Sequence, residues 1–158
     1  MHIKQKQAGV SLVESMIALL VISIGLLGIA ALQITAMKQN SSALNHSQAV
    51  WIAYDMADRI RANITEFDGY RIVDTKTNNF TQDCMGSACS TGNLIKSDAA
   101  DWKTQIQNLP GGRGLITGDA TQIVIAVMWD DEGTGATGTG CGNNPAVDLT
   151  CYTVTLVQ

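Results

Sequence analysis

From Val10 to Leu32 the chain runs apolar for 23 residues, interrupted only by Ser11, Glu14, Ser15, Ser23 and two glycines. About 20 such residues cross a bilayer as a helix, and a helix satisfies its own backbone polar groups, as lipid requires. No other feature restricts the fold so strongly. Such a segment is cut away, kept as an anchor, or buried against others of its kind. Glu14 sharpens the choice. An ionised side chain at membrane depth costs about 3 kcal/mol even on lenient scales, so its placement marks a functional position.

The flanks set an orientation. Met1 to Gly9 carries Lys4 and Lys6 and no acid, whereas the bulk of the chain beyond the span is acidic. The positive-inside rule therefore places the N-terminus in the cytoplasm and the remainder outside. Three readings of the segment compete. An ordinary signal peptide would be cut before Ala31, after the small residues Gly28 and Ala30. An uncleaved anchor is the second. Neither accounts for an acid four residues after a valine that itself follows glycine.

The third reading rests on Gly9-Val10-Ser11-Leu12-Val13-Glu14 and the unbroken apolar run behind it. This junction resembles the class III signal of type IV prepilins and pseudopilins. The resemblance implies cleavage between Gly9 and Val10 by a prepilin peptidase, and methylation of the new amine on Val10 by the same enzyme. Glu14 then has a physical role. If subunits stack with their apolar segments together, the cationic amine of one meets the carboxylate of its neighbour. A paired charge in low dielectric is tolerated and an unpaired one is costly. Glu14 would act as a register device for assembly.

Composition agrees with an exported, anchored domain. Charged residues make up 15% of the 158, against roughly 25% in soluble domains. The formal net charge is −4, and losing Lys4 and Lys6 takes the side-chain sum to −6. Nucleic acid is a poor partner for such a chain, since phosphate contacts need clustered cations. Arg59, Arg61 and Arg71 are the one candidate patch, with helical surface charge as the plainer alternative. The four cysteines at 84, 89, 141 and 151 fit two disulfides in an oxidising compartment. Pairing Cys84 with Cys89 and Cys141 with Cys151 closes the shortest loops. A zinc site is the alternative, with no histidine nearby to complete it.

Beyond the span, Ala49, Ile52, Ala53, Met56, Ala57 and Ile60 fall on one helical stripe. Asp55 with Arg59 and Asp58 with Arg61 stand at helical neighbour spacings on the other side. No proline precedes Pro110, so one helix from about Val10 to about Ala62, roughly 80 Å long, is expected. Gly25 and Gly28 read as close-approach positions between helices, or as a point where the helix loosens on assembly. Residues 63–100 read as loop with a short strand at Tyr70 to Val73, followed by a short helix from Ala99 to Leu109. Trp102, Ile106 and Leu109 share a face of that helix, and Pro110-Gly111-Gly112 ends it. Strands are expected at Thr121 to Trp129 and Cys151 to Val157, with a Gly/Thr-rich excursion between them.

The expected fold is α+β and pilin-like: a long N-terminal helix whose upper half packs on a small antiparallel sheet. Its parts are a leader (1–9), a membrane and assembly segment (10–32), an amphipathic upper helix (33–63) and a periplasmic head (64–158). Within the superfamily, Ile24 to Gln33 and the segment Ala53-Tyr54-Asp55-Met56-Ala57-Asp58-Arg59-Ile60-Arg61-Ala62-Asn63 resemble PilV-type minor pilins. So does Leu109-Pro110-Gly111-Gly112 followed by a strand ending Met128-Trp129. Val10 in place of the usual phenylalanine, and the lack of a helix-bending proline, depart from major pilins.

That resemblance implies a minor subunit that helps prime pilus assembly and so supports twitching motility, adhesion or DNA uptake. Its partners would be other minor pilins, the major pilin, the prepilin peptidase and the inner-membrane assembly platform. The chain would sit in the inner membrane by a single pass before assembly. A type II secretion pseudopilin is the near alternative. In that group a C-terminal loop can hold calcium, for which Asp130, Asp131 and Glu132 are candidates, with solvated turn residues as the simpler account. A tip-located adhesive module presenting the 130–150 loop is a third possibility. No nucleophile-and-base constellation stands out, His46 being the one histidine beyond the leader, so neither catalysis nor a cofactor is expected.

Overall fold

The computed structural model describes residues 11–84, 86, 88–144 and 146–158. Gly9 and Val10 lie outside these. The chain divides into two compact units, Met1–Ser41 and Ser42–Gln158. One helix, α1, runs Leu12–Ala62 and contributes to both.

In the first unit the described residues form the beginning of α1, and its large apolar side chains from Leu12 to Met37 are all exposed. Polar side chains here are satisfied locally. Ser23 Oγ donates to the Leu19 carbonyl at 2.7 Å and Thr35 Oγ1 to the Ala31 carbonyl at 3.1 Å. Such back-bonding hides hydroxyls from an apolar surround.

The second unit is built on the stripe of α1. Ala49, Ile52, Ala53, Met56, Ala57 and Ile60 are its buried residues, all on the face that the 3.6-residue period selects. Against them lies a three-stranded antiparallel sheet in the order β1-β2-β3, with β1 at Arg113–Gly118, β2 at Gln122–Trp129 and β3 at Thr150–Val157. Ile123, Ile125, Val127 and Trp129 of β2 alternate into the core shared with α1, joined by Leu156 of β3. Ala126 and Met128, on the opposite face, form a second cluster with Leu149, partly covered by Leu115, Ala136 and Cys151. The sheet is thus buried on both faces at β2, which is why its central strand reads as a nearly continuous apolar run.

Within the segment expected to be loop, residues 64–72 and 91–100 are helical. A 3-10 helix spans Ile64–Ile72, broken at Glu66, and buries Phe67 and Tyr70. Helix α2 spans Thr91–Ile106, eight residues earlier at its start than expected. Ser90 caps it, its hydroxyl accepting from the Asn93 N–H, a contact that satisfies one of the orphan donors of a first turn. No strand forms at Tyr70 to Val73; the pairing falls one residue later, as a bridge from Asp74 to Leu115. Strand β1 was not foreseen, because Gly114 and Gly118 dilute its apolar signal. Both glycines are required. A Cβ on Gly114 would run into the Trp102 and Ile106 side chains, and Gly118 takes φ 144° at the entry to the β1–β2 hairpin.

Candidate assembly site and head geometry

Glu14 lies in the first turn of α1 with an exposed side chain, one turn from the beginning of the described chain. Around it, Leu12, Val13, Met16 and Ile17 present their side chains outward. Among the described residues α1 is the one helix long and apolar enough to cross a membrane, and its apolar window is wholly unburied within the chain. A carboxylate on so apolar a surface calls for a cationic partner.

In the head, polar side chains lock the elements to one another. Arg59 is the hub: its guanidinium meets Asp55 at 2.9 Å on its own helix and Asp98 and Asp101 of α2 at 3.1 Å each. Asp98 is buried and also accepts from the Tyr70 hydroxyl at 2.5 Å. Burial, and then that bond, push the Tyr70 phenol well above its ordinary range. Trp102 closes the same seam, its indole N–H donating to the Ile52 carbonyl at 3.1 Å. Arg61 pairs with Asp58 at 2.6 Å and Arg71 with Asp68 at 2.9 Å. The three arginines considered as a cationic patch are therefore each engaged by acids of the same head.

A second lock holds the segment after β2. Asp131 accepts from Ser42 Oγ at 2.5 Å, from Asn45 Nδ2 at 3.4 Å and from the Trp129 indole at 2.9 Å. Burial opposes its charge, but these donors outweigh it and hold the carboxyl below the usual range. Asp130 folds the next turn, accepting from the Thr134 and Gly135 amides at 3.0 and 2.7 Å. Asp148 likewise accepts from the Gly140 and Asn144 amides at 3.1 and 3.0 Å. Of the calcium candidates, Asp130 and Asp131 thus serve as acceptors for protein donors. Among the described residues no group of three or more His, Cys, Asp or Glu side chains could hold a metal.

The cysteines are joined as Cys84–Cys89 and Cys141–Cys151, with Cα atoms 5.6 and 5.1 Å apart. The second bond ties the 130–149 excursion to β3. A groove of about 500 Å³ opens between α2, β1 and that excursion, lined in part by Lys76, Lys103, Ile106, Leu109 and Leu149. Arg113 on its wall is committed to Asp74, with contacts at 2.7 and 3.2 Å. This lock and the Asp131 lock escaped sequence reasoning, since both join residues more than 35 positions apart.

Comparison with known protein families places the chain. A family described as the prokaryotic N-terminal methylation motif matches residues 4–30, the stretch that contains Gly9, Val10 and Glu14. The family described as type IV pilin Tt1218 takes over where it stops and matches residues 31–100. No curated protein and no solved structure matches. The chain is a type IV pilin-like protein, with the long N-terminal helix and small antiparallel sheet of that class. More particularly, its upper helix and the start of the head, to residue 100, are similar to the family of type IV pilin Tt1218. Such proteins are structural subunits that interact with other pilins and with the prepilin peptidase, and the methylation motif and apolar helix fit an inner-membrane-anchored pilin.

Proposed function

We propose that this chain is a minor pilin of the PilV type that helps prime type IV pilus assembly, and so supports twitching motility, adhesion or DNA uptake. The observation that carries the reading is Glu14 on an apolar helix surface, five positions after the glycine of the leader. In this account residues 1–9 are removed, the head lies in the periplasm, and methylated Val10 supplies the cation that Glu14 meets in a neighbouring subunit. The span without proline and the valine at position 10 favour a minor over a major subunit. Other minor pilins, the major pilin and the assembly platform are the partners, and the chain contributes contacts rather than catalysis.

The N-terminal sequence and mass of the chain from native membranes and sheared fibres test this. A start at N-methyl-Val10 is the expected result; a start at Ala31, or an uncut Met1, overturns it. Glu14→Ala should leave processing and insertion intact and reduce incorporation into fibres. Incorporation of that variant at the wild-type level would remove the role of charge pairing.

A further inference from the structure

The sheet has two edges, and among the described residues only the β1 edge is met along its length. On β1 the outward groups are met by the segment before it. The Ile116 amide donates to the Val73 carbonyl at 2.9 Å, the Thr75 amide to the Gly114 carbonyl at 3.0 Å, and the Gly114 amide to Thr75 Oγ1 at 2.8 Å. On β3 the register fixes which groups face out. Gln122 pairs with Val157, and the Gln158 amide donates to the Thr121 carbonyl at 3.0 Å. Alternation then directs the main chain of Thr150, Tyr152, Val154 and Leu156 toward β2. Cys151, Thr153, Thr155 and Val157 aim theirs away from the sheet. The excursion meets this edge at its start, where the Leu149 amide donates to the Gly138 carbonyl at 3.0 Å and Cys141 is bonded to Cys151; among the described residues no main-chain bond reaches Thr153, Thr155 or Val157.

Edges of this kind are normally guarded by lysine, proline, a bulge or a covering element. Strand β3 reads Thr-Cys-Tyr-Thr-Val-Thr-Leu-Val, eight residues with no charge and no proline, in unbroken register with β2. Thr153, Thr155 and Val157 are exposed. Aromatic rings flank the strand on the helix side. Tyr152 stands against Tyr54 of α1, ring centroids 6.4 Å apart, and Tyr54 is 46% exposed. Tryptophan and tyrosine are the residue types that most often anchor interfaces.

We propose that the outer edge of β3 from Thr153 to Val157 is a strand-addition site for an extended segment of a neighbouring pilin subunit of a different sequence, with Tyr54 as an anchor beside it. This rests on the pilin-subunit reading. The edge offers alternating main-chain donors and acceptors, so its occupant is an extended chain that completes the ladder. The uncharged side chains suit a segment low in charge. A second copy fits poorly: Ser42–Gln158 carries seven Lys and Arg against thirteen Asp and Glu, so two heads side by side repel. The partner's head is neutral or basic.

Hydrogen exchange on the full-length chain tests the site, comparing protein purified alone in detergent with the same chain in native membranes and fibres. The Thr153 and Thr155 amides should exchange at least about tenfold more slowly in the assembled state. Thr155→Pro removes an outward donor and leaves the β2 ladder intact. It should lower incorporation at least about tenfold, with chain level, melting temperature and processing at Val10 unchanged, whereas Thr155→Val should behave as wild type. A photo-crosslinker at position 155 should capture an extended segment of another pilin. Equal exchange in both states, normal incorporation of Thr155→Pro, or capture of a second copy of this chain each overturns the proposal. Wild-type chain that is uncut at Gly9 and absent from every assembly overturns the pilin reading itself. A failed edge leaves wild-type processing and incorporation in place.

Discussion

Asp131 shows how one side chain can hold a loop where composition gives no reason for order. Its oxygens gather Ser42 and Asn45 of α1 and the Trp129 indole of β2, so the chain leaving the sheet is fixed to the helix. In the sequence it is one of three consecutive acids and indistinguishable from a solvated turn residue. Its carboxyl is held below the ordinary range, as is Asp74 beside Arg113, where burial opposes the charge and the guanidinium prevails. The sign follows from linkage. An unfolded aspartate titrates near about 3.9, so each group contributes stability that is full above that pH and is lost as pH falls through its lower folded value. The melting temperature of the full chain in detergent should therefore hold down to pH about 5 and drop as pH falls below about 4. Asp131→Asn should show a smaller drop, with a lower melting temperature at neutral pH.

Among the elements, those governed by periodicity were legible and those governed by distant contacts were not. The stripe of α1 was visible because six apolar residues repeat at helical spacing, and all six are buried. Ile60 is fully buried, so Ile60→Ala should cost about 2–5 kcal/mol in chemical unfolding, where an exposed position such as Leu44 should cost little. Helix α2 was foreseen only from Ala99, since its first turns are Thr-Gly-Asn and hold Ser97 and Asp98. Those two polar residues are buried because Arg59, Tyr70 and the Cys84 amide receive them, and nothing local announces that. Strand β1 was hidden for a related reason. Gly114 serves the packing of Trp102 and Ile106 rather than any strand preference. Glu14 was the opposite case, conspicuous because its surroundings are wrong for it.

For the whole molecule, stability is held by one small double-faced core, the Arg59 and Asp131 locks, and two short covalent loops. The Cys141–Cys151 bond closes ten residues of sequence and fastens the excursion beside β3. Reduction of both disulfides should lower unfolding stability by about 2–4 kcal/mol each at most, read as a shift in denaturant midpoint with and without reductant. The three tryptophans divide unequally: Trp102 and Trp129 are sealed in the core, while Trp51 is 78% open to solvent. The molecule therefore carries its own optical probe. Red-shifted emission and collisional quenching by acrylamide belong to Trp51 alone, while the other two report only on melting. Whatever comes to rest on that side of the helix will blue-shift the exposed indole and shield it from quencher, so docking can be followed by fluorescence without attaching a label.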